Sequence, residues 1–139
     1  MPVTRIVRVY TGEDQRSHFE DLTVPMREFR LGTLFSMKTE MVPVEGVVFR
    51  ETAADSSTEF HTPPRRQLVI TLAGAVEIKV GDGSTRVFGP GDELLAEDLT
   101  GEGHSARELI APRRSLILPL NDDFDAGRWS RPLPGGTTT

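Results

Sequence analysis

The stretch from Phe60 to Glu108 holds two short apolar runs, two glycine turns and two of the three histidines, and the rest of the chain has to pack around it. The first run, residues 68–73, stops at Gly74. The second, residues 76–80, alternates apolar and polar side chains with the period of two that a half-buried strand requires. Gly81-Asp82-Gly83 follows and offers positive-φ positions without steric cost, so residues 76–80 and 84–88 are expected to pair as a hairpin. Gly89-Pro90-Gly91-Asp92 makes a second sharp turn. Gly74 and Gly91 are read as backbone requirements and not as site residues.

The flanking segments repeat this grammar of short runs and breakers. Residues 4–10 are rich in β-branched side chains and read as a first strand. Residues 15–26 open like a helical turn, but Val24-Pro25 ends any helix early, which leaves a loop with short strand character. Residues 30–41 fit one strand, regular or bulged. Residues 44–51 make a better one, and the polar residues 52–58 read as a loop. Residues 104–109 and 115–120 supply two more strands, with Pro112 marking the turn between them. Trp129 is expected to pack on the body. Many short strands separated by turn signals define an all-β sandwich or barrel.

A chain of 139 residues suits one hydrophobic core. The expected organisation is a single domain over residues 1–130 and a flexible tail over residues 131–139, rich in Pro, Gly and Thr. No apolar run approaches the ~20 residues of a membrane helix, and the N-terminus lacks a signal-peptide core, so a cytoplasmic protein with no membrane partner is expected. Cysteine is absent, which removes disulfides and thiolate chemistry. A net charge of −5 argues against nucleic acid as a partner. The strand-like residues 4–10 are expected to pair across a two-fold axis, giving a homodimer.

The spacing within the central stretch resembles the two motifs of the cupin superfamily. The first is written H-x-H-x3-E-x6-G, and the second is of P-G-D type ending in a histidine. His61 falls on the first histidine, Gln67 on the glutamate and Gly74 on the glycine. Pro90, Gly91, Asp92 and His104 fall on the second motif. The chain departs from the pattern at Pro63, which stands where the second metal-binding histidine would be, at Gln67, which replaces the carboxylate, and at Glu97, where many members have proline. The segment from Pro90 to His104 is also about two residues longer than the commonest form. The resemblance spans residues 45–120. It implies a cupin-type jelly-roll β-barrel, a pocket in the barrel lumen for a small-molecule ligand, and a dimer.

The resemblance places His61 and His104 in the lumen, expected to face one another with Gln67 between them. The bland alternative for each histidine is a strand-end side chain bonded to backbone. Two imidazoles and an amide oxygen make a weak open site for a divalent metal (Zn, Fe, Ni or Mn); without metal, His61 and His104 are candidate catalytic acid–base groups and Gln67 a candidate substrate contact. Arg65 shares a strand face with Gln67 by alternation and is a candidate for holding substrate, with Arg66 turned outward. Glu97 lies on the face of Leu95 and is a candidate general base or replacement ligand. Asp98 and Glu102 read as a solvated acidic loop, and His18 lies outside both motifs. The resemblance covers isomerases, cyclases, decarboxylases (lyases) and dioxygenases, so it implies an enzyme acting on an organic acid or carbonyl metabolite. The alternative is a binding protein without metal or turnover.

Overall fold

Two long strands, each bent near its middle, organise the molecule. The computed structural model describes residues 3–133. Its strands are β1 (Val3–Thr11), β2 (Ser17–Pro25), β3 (Arg27–Leu31), β4 (Leu34–Lys38), β5 (Val48–Thr52), β6 (Ser57–His61), β7 (Gln67–Lys79), β8 (Thr85–Phe88), β9 (Glu93–Glu97), β10 (His104–Pro119) and β11 (Arg131–Pro132), with one helical turn, α1 (Ala126–Trp129). The two apolar runs on either side of Gly74 are one strand, β7, and the two expected around Pro112 are one strand, β10. Gly74 takes φ +78°, and a Cβ there would lie 2.5 Å from the Ile110 carbonyl oxygen and 2.8 Å from Arg113 Cα. Only glycine lets β7 bend this close to β10. Opposite it, the β10 register shifts repeatedly between Glu108 and Ser115.

The paired bends fold one sheet into two layers, the corner device of strands that pass from one sheet to another. The first layer runs β11-β2-β1-β9, then the first half of β7, the second half of β10, and β5. The second holds β8, the second half of β7, the first half of β10, and β6. Val76, Ile78 and Phe88 of the second layer share a buried cluster with Val9, Phe19, Val69 and Leu94 of the first. The outer face of the first layer is buried too: Ile6, Leu22, Val24, Leu68 and Leu95 pack with Leu120 beneath Val42, Phe124 and Trp129. Trp129 meets Phe124 edge-on at 5.6 Å, so it packs on the body as expected. The fold is all-β and of jelly-roll type. Among the described residues the sheet path ends at β11 and at β5, so the expected barrel is open and not closed.

Several local expectations are corrected. Residues 17–25 are a nine-residue strand in full register with β1; burial of Phe19, Leu22 and Val24 overrides the local turn signals. Residues 27–38 form two strands around Gly32, a ribbon separate from the main sheet. The last two residues of the loop expected over 52–58 already belong to β6, because their partners lie on β10. β1 is flanked within its own chain by β2 along its whole length and, from Val7 to Tyr10, by β9 in parallel on the other side, so most of the strand expected to pair with a second copy is already paired. Of the expected tail, Arg131 and Pro132 pair with β2, and residues 134–139 lie outside the described residues. No described helix is long and apolar enough to cross a membrane.

His18 ties two hairpins together. Its Nε2 lies 3.0 Å from Asp14 Oδ2, and its Nδ1 lies 3.2 Å from Asp82 Oδ2 in the turn between β7 and β8. The hydrogen bond to Asp14 raises the His18 pKa against the opposing effect of burial. Asp14 is lowered, first by its bond to His18. Burial pushes Asp82 up, but hydrogen bonds from Ser84 and His18 outweigh it and lower the group. The histidine's contribution is present below about pH 6.5 and is lost as pH rises through the raised folded value. That of the aspartates is present above about pH 4 and is lost on acidification. Wild type should therefore lose more stability than His18→Gln between about pH 5 and about pH 8 in urea titrations; parallel pH dependence of the two proteins would show that the cluster contributes nothing.

Candidate functional site

A cavity of about 430 Å³ opens between the layers. Val69, Val76, Ile78, Phe88, Leu94 and Ile117 supply its apolar surface, and His61, Gln67, His104, Arg50, Glu108 and Arg113 its polar groups. A mostly apolar concavity with a few placed polar groups is the ordinary form of a small-molecule site.

His61 and His104 are in the cavity but do not face one another across it. They are register partners on neighbouring strands, His61 closing β6 and His104 opening β10, with ring centroids 5.1 Å apart and planes tilted by 50°. The backbone fixes this juxtaposition: Gly103 has φ +77°, and a Cβ on it would fall 1.9 Å from the His61 carbonyl oxygen. His61 is exposed, and its Nδ1 sits 2.9 Å from the Glu59 carbonyl. A carbonyl only accepts, so Nδ1–H donates and Nε2 is left free.

His104 is buried and has a different partner. Its Nδ1 lies 2.8 Å from Oδ2 of Asp98, a carboxylate with 0% exposure. The Ser17 hydroxyl donates to the same Oδ2 at 2.8 Å, while Oδ1 is buried without a hydrogen-bond partner. An ionised carboxylate accepts only, so the shared proton sits on the Nδ1 side and Nε2 is the ring atom left for a ligand. Sequence reasoning placed Asp98 in a solvated loop and missed this pair. The signal available was its position just beyond the apolar β9, where the next inward residue follows Ala96.

Glu97 is not a lumen residue. It shares the face of Leu95, as alternation requires, but β9 is buried on both sides and the cavity lies on the Ala96 side. On the outer face Glu97 sits between Arg8 Nε at 2.5 Å and Arg66 Nε at 2.6 Å. The Arg66 contact is a close charge contact and not an aimed hydrogen bond. These residues line a second cavity with Glu20, Asp122 and Arg131. Arg65 is also outside the lumen and pairs with Glu45. Residues 63–66 form the turn before β7, so alternation counted back from Gln67 does not reach Arg65. Gln67 itself lines the cavity.

Three cavity residues were not singled out from the sequence: Arg50, Glu108 and Arg113. Arg113 Nε donates to Glu108 Oε1 at 2.7 Å and its Nη2 to Oε2 at 3.1 Å, with the two side chains only 7% and 4% exposed. Arg50 donates from Nε to Ser115 Oγ at 3.2 Å.

The expected metal trio, His61, Gln67 and His104, lines one cavity but supplies two imidazoles and a neutral amide. Among the described residues no three His, Cys, Asp or Glu side chains come together as a metal-holding group, and Asp98 reaches the site only through the far nitrogen of His104. Such a set lacks the anionic ligand that holds a divalent ion firmly. The residues fit proton transfer better than a resident metal centre.

The structure therefore shows a jelly-roll fold with a buried histidine–aspartate pair at a cavity between its layers. No family model matches the chain, and no curated protein matches its sequence. Among solved structures it is similar to a sugar 3,4-ketoisomerase, QdtA, of Thermoanaerobacterium thermosaccharolyticum in complex with TDP, at 14% identity over 77% of this chain and 83% of that one, with a TM-score of 0.45. It is similar also to the dTDP-6-deoxy-D-glucose-3,5-epimerase RmlC of Legionella pneumophila (10% identity, 91% and 76% of the chains, TM-score 0.45). A third is the dTDP-4-dehydrorhamnose 3,5-epimerase of Bacillus anthracis with TDP and PPi bound (12%, 94% and 84%, 0.42). At these identities and TM-scores, none of the three carries an activity or a ligand over to this chain.

Proposed function

We propose that the cavity is the active site of a small-molecule enzyme that moves a proton on an organic acid or carbonyl metabolite. The observation that supports this most is the buried Asp98 carboxylate on Nδ1 of His104, with Nε2 of the same ring left to a ligand. Asp98 fixes the ring's orientation and stabilises the positive charge the imidazole gains when Nε2 takes a proton. In the reaction the C–H bond beside a carbonyl breaks, the proton passes to Nε2, and the electron pair moves onto the carbonyl oxygen as an enolate. Return of a proton to the other face of the same carbon completes an epimerisation; where that carbon bears a hydroxyl the intermediate is an enediolate, and return of the proton to the former carbonyl carbon, with the hydroxyl proton passing to the former carbonyl oxygen, completes an isomerisation. The Gln67 amide, and Nε2 of His61 when protonated, are the groups that would donate to the enolate oxygen. A metal has no step in this reading.

The test is hydrogen exchange in D₂O, followed by NMR over a panel of 2-oxo and 3-oxo acids and neutral ketones. Wild type is expected to wash deuterium into the carbon beside the carbonyl of at least one class, above the buffer rate. Binding without any washing-in would replace the enzyme with a ligand-binding protein.

A homodimer belongs to the same proposal, through surfaces other than β1. The ribbon of β3 and β4 exposes Leu31 (68%) and Leu34 (52%), and the edge strand β5 exposes Phe49 (73%). An isolated two-stranded ribbon is marginal by itself, which favours a second copy covering it. Light scattering should give a dimer for wild type and a monomer for Leu31→Lys/Leu34→Lys. A wild-type monomer at micromolar concentration would remove the dimer.

A further inference from the structure

One of the charged side chains lining the cavity has no ion-pair partner among the described residues. Arg113 and Glu108 satisfy one another in a two-pronged, buried pair. Arg50, on β5 and lining the same cavity, forms no ion pair among the described residues. Its Nε is spent on the Ser115 hydroxyl, and its two Nη groups make no hydrogen bond among the described residues. Burial and the neighbouring Arg113 charge both push the Arg50 guanidinium below its ordinary value, and Glu108 only partly offsets them. A guanidinium stays charged in a protein regardless. One positive charge thus stands uncompensated beside an apolar surface, an arrangement that costs stability unless a negative group meets it.

We propose that Arg50 anchors a single carboxylate of the ligand through its two Nη groups. The proposal deepens the reading of the cavity as a substrate site and rests on it, but it does not depend on proton transfer by His104. Three features favour a carboxylate. The planar fork of a guanidinium matches the two oxygens of a carboxylate. Arg50 has no ion-pair partner among the described residues and its single charge matches a monoanion, whereas a phosphate ester dianion would bring a second negative charge into a site that already holds Glu108 and, behind His104, the Asp98 carboxylate. The cavity that Arg50 lines also carries the hydroxyls of Thr52, Ser57 and Thr58 and the apolar side chains of Val69 and Ile117, which suits a short acid with an apolar body. Arg50 is thereby the residue that selects the substrate's charge.

The experiment compares wild type, Arg50→Gln and His104→Ala for binding of pentanoate, pentanamide and propyl phosphate, read by NMR titration, with melting temperatures measured without ligand. Wild type is expected to bind pentanoate at least about tenfold more tightly than pentanamide or propyl phosphate, the scale on which one charge-assisted fork is felt. Arg50→Gln should lose that preference and yet melt at or above the wild-type temperature, since removing one of two adjacent positive charges relieves repulsion. A purely structural arginine would instead lower the melting temperature and leave selectivity alone. His104→Ala should keep the preference for pentanoate. Equal binding of acid and amide by wild type, tighter binding of the phosphate, unchanged selectivity in Arg50→Gln, or no binding of any probe would each overturn the proposal. Absence of deuterium exchange with pentanoate selectivity intact would sink the enzymatic reading alone.

Discussion

His104→Ala is expected to lower deuterium exchange by about 10²–10⁴-fold, the range that a positioned acid–base group supplies, while ligand affinity changes little. The ring sits at the start of β10, its far nitrogen held by Asp98, and of the two cavity histidines it is the one held by a carboxylate. His61, its neighbour, is exposed and bonded only to a backbone carbonyl, so His61→Ala should cost less. Asp98→Asn separates charge from geometry. The asparagine carbonyl oxygen can take the place of Oδ2 and accept from both Ser17 and His104, while its amide nitrogen falls where Oδ1 already lacks a partner. The variant should fold, bind ligand nearly as wild type does and lose exchange rate, with a displaced Nδ1–H resonance of His104 in the proton spectrum. Exchange in His104→Ala at the wild-type rate would remove the histidine from the chemistry.

The largest loss of stability is expected from Glu108→Ala, at about 3–5 kcal/mol, the cost of leaving a buried charge without its partner. The side chains of the pair are 7% and 4% exposed, far from the solvent-screened case in which an ion pair contributes about 0–1 kcal/mol. Truncation of Glu108 leaves Arg113 unpaired in the same cavity as Arg50, so two guanidinium groups then repel with nothing between them. Two second-site changes should recover part of the loss: Arg113→Met, which replaces the stranded charge with an apolar chain, and Arg50→Gln, which removes the repulsion. Urea midpoints of the single and double variants measure this directly. A loss under about 1 kcal/mol for Glu108→Ala would mean that water reaches the pair in solution.

The sequence made the strands legible where alternation and turn chemistry agreed. The hairpin of β7 and β8 and the positive φ at Gly74 and Gly91 are where the reading placed them. It failed where a strand owes its existence to a distant partner. Residues 17–25 carry turn-like local signals, and only β1 and the core beneath Phe19 make them a strand. Gly74 was read as a stop because glycine usually ends a run, yet here it is the bend that keeps one strand continuous through two layers. The site was half legible. His61, His104 and Gln67 follow from motif spacing, and all three reach the cavity. Asp98, Arg50 and the Glu108–Arg113 pair come from three separate segments with no shared spacing, so only the folded chain brings them together. Counting alternation through a turn misplaced Arg65, and a strand buried on both faces defeated the inference that the buried side of Glu97 must be the lumen.

The parallel pairing of β1 with β9 also has a temporal side. Arg8 and Glu97, whose side chains meet across that pair, are 89 residues apart. At the usual synthesis rate of roughly 5–20 residues per second, β1 leaves the ribosome roughly 4–18 s before β9 exists to receive it. In that interval the nascent chain holds a hairpin of β1 and β2 with one open edge and Ile6 and Val9 uncovered. Topologies dominated by such distant contacts fold slowly once complete. The two arginines on β1, Arg5 and Arg8, lie along that waiting strand, where charge is the ordinary guard against premature pairing with another chain.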